Sequence, residues 1–312
     1  MTTLARFGTI LGATLCVGTA HAQPLPTDPS LVTGQLDNGL KYVIQQHAIP
    51  PGRAVVWLHM HSGSLNETER QRGIAHYLEH MAFNGSEHFP PGSVIPFFQS
   101  LGLKFGQHQN AFTSFEQTTF QLALPDNKPE TLDKALLFMS DVAFRLTLPP
   151  KEIDSERQVI LEERRAHLSG RQRVSDYWLE HLIPGSTLGQ RLPIGTEATI
   201  EGVHEKDFRD YYSMWYVPSR MTVLVVADMD PATVAEHIKT EFAAAPAKEA
   251  PPPRDAGIHP YTQTRAIVAS DAELTDAQIS LIWVTPPQPP TTTVQTYRAD
   301  LVESIGAWCF NR

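Results

Sequence analysis

Two histidines and a glutamate are grouped in the segment His76-Tyr77-Leu78-Glu79-His80. If this segment is helical, positions i, i+3 and i+4 project from one face. Two imidazoles one turn apart can bind one zinc ion, and a carboxylate beside them can accept a proton from a metal-activated water. The alternative is a solvated helix face that carries these residues by chance, because the chain has 13 histidines. The pattern by itself is therefore a hypothesis.

A catalytic zinc ion takes three protein ligands and leaves one position open, so a third ligand must come from elsewhere in the chain. Glu156 and Glu163 lie in a charged segment that follows Pro149-Pro150. They are seven residues apart, and a helix of two turns places both on one face. The segment also has the i,i+4 charge pairs that are typical of an ordinary surface helix. The spacing alone leaves both interpretations open.

Apolar periodicity predicts the elements that would position these residues. A helix is predicted over residues 73–84, because Ile74, Leu78 and Met81 form one apolar stripe. A second long helix is predicted from about residue 151 to 168, and Gly170 should end it. The remaining predictions for this part of the chain are strands over 41–44, 54–61, 110–114, 118–124 and 221–227, helices over 132–146, 203–212 and 231–242, and a loop over 186–202.

Composition and charge exclude some classes of function. Hydrophobic residues make up 41% of the 312 residues, which is typical of a folded globular protein. The net charge of −9 repels phosphate backbones, so nucleic acid is not expected as a partner. The chain has two cysteines, and one of them, Cys16, lies in the leader described next. An intrachain disulfide is therefore not expected in the mature protein.

The first 22 residues have the pattern of a secretory signal peptide. Arg6 supplies a positive charge, an apolar run extends from Phe7 to Ala20, and Ala20-His21-Ala22 matches a small-residue cleavage site. The apolar run is too short for a membrane anchor, and no later stretch is long and apolar enough to span a bilayer. The expected destination is the periplasm, after secretion across the inner membrane.

The remaining sequence predicts two domains of unequal length. Residues 23–245 contain both motifs and form the predicted catalytic domain. A linker rich in Ala and Pro is predicted over 246–258. In residues 259–312 we predict strands over 265–269 and 278–285 and a helix over 294–308. The order of strand, strand and helix is that of residues 42–84, so we expect the truncated beginning of a second, homologous domain.

Both motifs resemble those of a known family. The segment from Gly73 to Gly85, GIAHYLEHMAFNG, resembles the zinc helix of the insulinase/pitrilysin (inverzincin) metallopeptidases. The segment from Glu156 to Glu163, ERQVILEE, resembles the downstream glutamate pair of that family. Gly63-Ser64 and Asn110-Ala111-Phe112-Thr113-Ser114 are similar to further family landmarks. The resemblance runs from about residue 32 to residue 245.

The resemblance implies a role for each residue of the two motifs. His76, His80 and Glu163 are the implied zinc ligands, and zinc is the implied cofactor. Glu79 is the implied catalytic base, which takes the proton of the attacking water and passes it to the leaving amine. Glu156 is the implied supporting carboxylate, which holds a ligand without binding the metal itself.

The resemblance also implies a fold and a reaction. The fold is α+β, an antiparallel-rich sheet with helices packed on one side. Asn110, Ala111 and Phe112 are implied to bind substrate, on a strand that pairs with the substrate backbone. The reaction is that of a zinc-dependent endopeptidase, which hydrolyses peptides or loosely folded proteins because its substrate must be extended.

The sequence is also compatible with a function other than catalysis. Family members form a clamshell from two homologous halves, and this sequence contains only the start of a second half. A second homologous half or subunit is therefore the expected partner besides a peptide substrate. The chain could instead be a non-catalytic or incomplete scaffold. Relatives of that kind typically lose the zinc residues, whereas this chain has them.

The leader pattern generates one prediction. We expect cleavage after Ala22, because the small residues Ala20 and Ala22 fit a signal-peptidase site. N-terminal sequencing of the exported protein should begin at Gln23. An intact Met1 on protein that stays in the cytoplasm would contradict the prediction.

Overall fold

The structure is a computed structural model that describes residues 23–103, 106, 109–252, 254–286 and 290–310. The predicted signal peptide lies outside these residues. The contacts divide the chain into two units, of which the larger spans Asp28–Pro286. Among the described residues, the smaller unit consists of 23–27 and 290–310, where Pro24 forms a β-bridge with Thr293.

A mixed sheet forms the framework of the larger unit. Its strands, within the described residues, follow the order β1-β2-β6-β3-β5-β4. Only the pair β2 and β6 is parallel, and the other four pairs are antiparallel. The predicted α+β class with an antiparallel-rich sheet is therefore confirmed. The strands are β1 (Leu31–Gln35), β2 (Lys41–Gln46), β3 (Ala54–Met60), β4 (Gln109–Thr113), β5 (Thr118–Leu124) and β6 (Met221–Ala227).

Helices cover one face of this sheet. Burial alternates along β3, where Val56, Leu58 and Met60 are fully buried and Trp57 between them is partly exposed. A period of two directs alternate side chains to opposite faces of a strand, so the buried set faces the helices. The helices of the larger unit are α1 (Ile74–Met81), α2 (Val94–Ser100), α3 (Pro129–Phe144), α4 (Pro150–His167), α5 (Gly170–Leu182), α6 (Glu197–Gly202), α7 (Glu205–Trp215) and α8 (Pro231–Phe242).

Proline residues set the starts of three of these helices. Pro129, Pro150 and Pro231 are the first residues of α3, α4 and α8. The first turn of a helix has no partner for its N–H groups, so proline loses nothing there and its φ angle already suits the helix. The Pro149-Pro150 pair therefore determines where the charged segment that contains Glu156 and Glu163 becomes helical.

Two predictions between residues 168 and 202 are wrong. Gly170 does not end a helix but is the first residue of α5, where the Ser169 hydroxyl accepts a hydrogen bond from the Gln172 N–H. The predicted loop over 186–202 contains α6, whose start is capped in the same way by Thr196. In both cases a hydroxyl side chain at the N-cap satisfies a free backbone N–H and allows a new helix to begin.

The two strands predicted over 265–269 and 278–285 are also wrong. Neither segment has regular secondary structure. A strand needs a neighbouring strand for its backbone hydrogen bonds, and no described residue pairs with either segment. Asp271 and Glu273 instead form ion pairs with Arg173 of α5. The predicted C-terminal helix is present as α9 (Val294–Phe310) in the smaller unit. The assignment of residues 259–312 to a second homologous domain stays a prediction.

A buried carboxylate ties α3 to the segment that follows α1. Asp141 of α3 has a fully buried side chain. It accepts hydrogen bonds from the Ser86 hydroxyl, from the backbone N–H and Nδ1 of His88, and from Nε of Arg145, at 2.6–2.8 Å. Burial opposes ionisation, but these four donors hold the pKa of Asp141 below its usual range.

This network generates a prediction on stability. We expect Asp141→Asn to destabilise the fold by about 1–3 kcal/mol. The amide N–H₂ is a donor, so it cannot accept the hydrogen bonds that the replaced carboxylate oxygen accepts. Urea unfolding followed by circular dichroism would measure the loss. An unchanged free energy of unfolding would mean that the donors find other partners.

Candidate metal centre

The short helix α1 presents both histidines on one side. Tyr77, Leu78 and Met81 are buried in the core, whereas the side chains of His76 and His80 are partly exposed. The rings of His76 and His80 lie edge to face with their centroids 4.7 Å apart. Two imidazoles of one helix are therefore close enough to bind a single metal ion.

The long helix α4 brings two carboxylates to this face. Oε1 of Glu163 lies 3.7 Å from Nε2 of His76, and its Oε2 lies 3.3 Å from Nε2 of His80. Glu156 approaches the other side of the His80 ring, where Nδ1 of His80 donates to its Oε1 at 2.8 Å. The two glutamates thus contact opposite nitrogens of one imidazole, although both lie on the same face of α4.

His76, His80 and Glu163 have a geometry that fits zinc. One donor atom from each lies within 4.8 Å of the other two. Two ligands bound at about 2.0–2.1 Å to a tetrahedral zinc ion lie roughly 3.3–3.5 Å apart, and Oε2 of Glu163 lies 3.3 Å from Nε2 of His80. Two imidazoles and one carboxylate are also a common donor set for catalytic zinc.

The charges of these groups differ without a metal. Burial, together with the charge of the neighbouring His80, lowers the pKa of His76 to about 4, so His76 is neutral. Burial acts in the same direction on His80, but its hydrogen bonds to Glu156 and Glu163 outweigh this effect and raise its pKa to about 9. Because a metal binds neutral imidazole, a metal at this site must displace the proton that His80 shares with Glu163.

Glu79 lies beside the three potential ligands and is 93% buried. Burial raises its pKa to about 7, against the hydrogen bond from Thr113 and the charge of His80, which lower it. The Thr113 hydroxyl donates to Oε2 of Glu79 at 2.7 Å. A carboxylate with a pKa near neutrality, next to a metal site, can both accept and return a proton.

A cleft of about 870 Å³ opens in front of these groups. Asn110, Ala111 and Phe112, the predicted substrate-binding residues, form one of its walls. They lie on β4, which pairs with β5 on one side only and is an edge strand among the described residues. The free edge can accept an extended peptide as an additional strand.

Part of the cleft lining is apolar. It includes Leu192, Pro193 and Ile194, and also Val94 and Ile95 of α2. Sequence reasoning missed these residues, because they come from the predicted loop over 186–202 and from the unpredicted helix α2.

Two polar residues near the centre were also missed. Nδ2 of Asn84 donates to Oε2 of Glu156 at 2.8 Å, so Asn84 holds the carboxylate that holds His80. Thr113 contacts Glu79, as described above. Asn84 follows His80 by one helical turn, and this spacing could have indicated a contact on the same face. The contact of Thr113 depends on the approach of β4 to α1, which the sequence does not predict.

Among the described residues, the helices are either too short or too polar to span a bilayer.

Comparison with known proteins gives two matching family profiles. The profile described as "Insulinase (Peptidase family M16)" matches residues 42–192. The profile described as "Peptidase M16 inactive domain" matches residues 203–305. The first match contains α1 and α4, and with them His76, Glu79, His80, Glu156 and Glu163.

Individual relatives agree with these profiles. The probable zinc protease PqqL of Escherichia coli is 38% identical over 242 residues, which are 78% of this chain and 26% of that protein. The zinc protease PQQL-like of Arabidopsis thaliana is 32% identical over 283 residues, which are 89% of this chain and 29% of that protein. The chain therefore spans little more than a quarter of the length of these relatives.

A solved structure has the same fold. The crystal structure of the first half of the periplasmic protease PqqL from Escherichia coli gives a TM-score of 0.71 at 39% identity, and the match covers 75% of this chain and 50% of that one. With the two family profiles and the inverted histidine motif on α1, this match shows that the chain belongs to the insulinase family of peptidases.

Proposed function

We propose that the chain is the zinc-binding catalytic part of a metalloendopeptidase that cleaves extended peptides or loosely folded proteins. The observation that carries the proposal is the convergence of donor atoms from His76, His80 and Glu163 within 4.8 Å, beside the buried carboxylate of Glu79. The names of the relatives, which are zinc proteases, support the choice of metal.

Each residue at the centre has a distinct task in this proposal. A bound zinc ion would polarise the scissile carbonyl and lower the pKa of the attacking water. His76, His80 and Glu163 hold the metal, and Glu156 orients the His80 ring through Nδ1. Glu79 accepts the proton of the water as it attacks and donates it to the leaving amine, a role that suits its raised pKa.

The edge strand β4 supplies the substrate site in this proposal. A peptide that pairs with Asn110, Ala111 and Phe112 would run along the cleft toward α1. Backbone hydrogen bonds bind any extended sequence, so such a site favours unfolded segments over folded surfaces. The hydroxyl of Thr113, on the same strand, would hold the carboxylate of Glu79 close to the bound peptide.

The compartment and the partner complete the proposal. The leader pattern and the periplasmic relative support a location in the periplasm. The solved relative is the first half of a larger protease, which supports a second homologous half or subunit as the partner that completes the cleft. The presence of the three ligand residues argues against a purely non-catalytic scaffold.

The ligand assignment predicts how zinc content responds to three matched substitutions. We expect Glu163→Gln to lose most of the bound zinc, because a neutral amide replaces a metal ligand. Glu156→Gln should weaken zinc binding by about 10–100-fold, the range for residues that orient a ligand. Glu162→Gln is the control, because this exposed side chain pairs with Arg165 instead. Zinc is measured by elemental analysis and by chelator competition. A stronger effect of Glu156→Gln than of Glu163→Gln would contradict the assignment.

The role of Glu79 predicts a separation of metal binding from turnover. Glutamine has nearly the shape of glutamate but cannot take a proton at neutral pH. We expect Glu79→Gln to retain zinc and to lower peptide hydrolysis at least about 100-fold, the usual loss for a general base. Hydrolysis is measured with an unfolded protein substrate against the wild-type chain. Near-normal turnover would exclude Glu79 as the base, and loss of zinc would make it a ligand.

A further inference from the structure

The N-cap residue of α1 is a glycine and provides no side-chain cap. Gly73, the N-cap residue, has a φ of +91°, and a Cβ atom built on it would lie 2.8 Å from the Cα of Gly195. Serine, threonine, aspartate or asparagine, the usual N-cap residues, would therefore clash there. The free N–H groups of the first turn must be satisfied by another part of the chain, because they are buried.

Glu67 provides that cap from six residues upstream. Its side chain is fully buried, Oε2 accepts from the N–H of Gly73 and Oε1 accepts from the N–H of Ala75, each at 2.9 Å. The second of these N–H groups belongs to the residue directly before His76. One carboxylate thus fixes the first turn of the helix that presents His76, Glu79 and His80.

The surroundings of Glu67 hold it in this position. Nε of the buried Arg191 donates to its backbone carbonyl at 3.2 Å. Burial raises the pKa of Glu67 well above its usual range, whereas the two N–H donors and the charges of Arg191 and Arg72 act in the opposite direction. A buried carboxyl is costly, and its strongest contacts here are with the start of α1.

A segment that lines the cleft also contacts the start of α1. The Thr199 hydroxyl of α6 donates to the backbone carbonyl of Arg72 at 2.7 Å, and Gly195 packs against Gly73. The segment that lines the cleft therefore meets the helix start that Glu67 caps. This arrangement leaves little freedom for the first turn of α1 to move relative to the cleft.

We propose that Glu67 is a positioning residue of the metal centre, which holds His76 and His80 in ligand geometry by capping α1. The inference rests on the proposed function, because it assumes that these histidines bind zinc. Glu67 is not one of the proposed ligands, and it acts only through the backbone of α1. A role confined to stability would leave metal affinity unchanged in the folded protein.

The test compares metal affinity in matched variants of the full chain. Glu67→Gln keeps the size of the side chain but turns one acceptor into a donor that faces a backbone N–H. We expect it to raise the zinc dissociation constant about tenfold, as for residues that orient metal ligands, and to change the visible absorption of the Co²⁺-loaded protein. Glu67→Asp retains the carboxyl group with a shorter reach and should have an intermediate effect. Both readouts are taken well below the lowest melting temperature.

Asp141→Asn is the control, because it also converts a fully buried carboxylate to an amide, but one that caps no part of α1. It should lower stability and leave zinc affinity within about twofold of wild type, since no ligand depends on it. The inference is overturned if Glu67→Gln lowers stability while zinc affinity and the Co²⁺ spectrum stay unchanged. If Glu67→Gln does not fold, unchanged values for Glu67→Asp overturn it. A wild-type chain that binds neither metal would overturn the proposed function as well.

Discussion

The contact between α1 and α4 is the constraint on which the candidate site depends. Zinc requires its ligand atoms within a few tenths of an ångström of their ideal positions, yet the histidines and the glutamates come from different helices. Tyr77 connects the two helices, because its hydroxyl donates to the backbone carbonyl of Ile153 at the start of α4. Its ring also packs edge to face against Phe208 of α7, with centroids 4.8 Å apart. The buried side of α1 therefore sets where the opposite side meets Glu163.

The sheet contributes the second half of the geometry. β4 is held at the edge by five residue pairs with β5, and β5 is held by β3 through seven. Through this series of strands Thr113 reaches Glu79, so the strand that would bind a peptide also touches the proposed base. A fold that joins both functions in one strand keeps the scissile bond and the proton acceptor in a constant relation.

Charged groups near the centre oppose folding as well as enable chemistry. Glu67, Glu79 and Asp141 are all buried, and a buried carboxylate destabilises a protein unless donors surround it. Asp141 has four donors and Glu67 has two backbone N–H groups, whereas Glu79 has one hydroxyl. Glu79 therefore has the fewest hydrogen-bond donors of the three, and burial raises its pKa to about 7. A group that must exchange protons cannot be fully satisfied as an anion.

Local periodicity determined much of the structure before tertiary contacts were considered. His76, Glu79 and His80 share a face because the helical repeat depends only on neighbouring residues. For the same reason β5 and β6 were predicted with their observed bounds, 118–124 and 221–227, from short β-branched and apolar runs. The family resemblance implied the roles of these residues, which periodicity alone did not.

Only the tertiary structure decided which residues meet across long stretches of sequence. The spacing of Glu156 and Glu163 did not tell which of them faces both histidines, because both lie on one face of α4. The cap from Glu67 left no signal in the sequence, since it depends on the close approach of Gly195 to Gly73. The strands predicted over 265–269 and 278–285 are absent for a related reason. A helix satisfies its own backbone, whereas a strand exists only where a distant segment pairs with it.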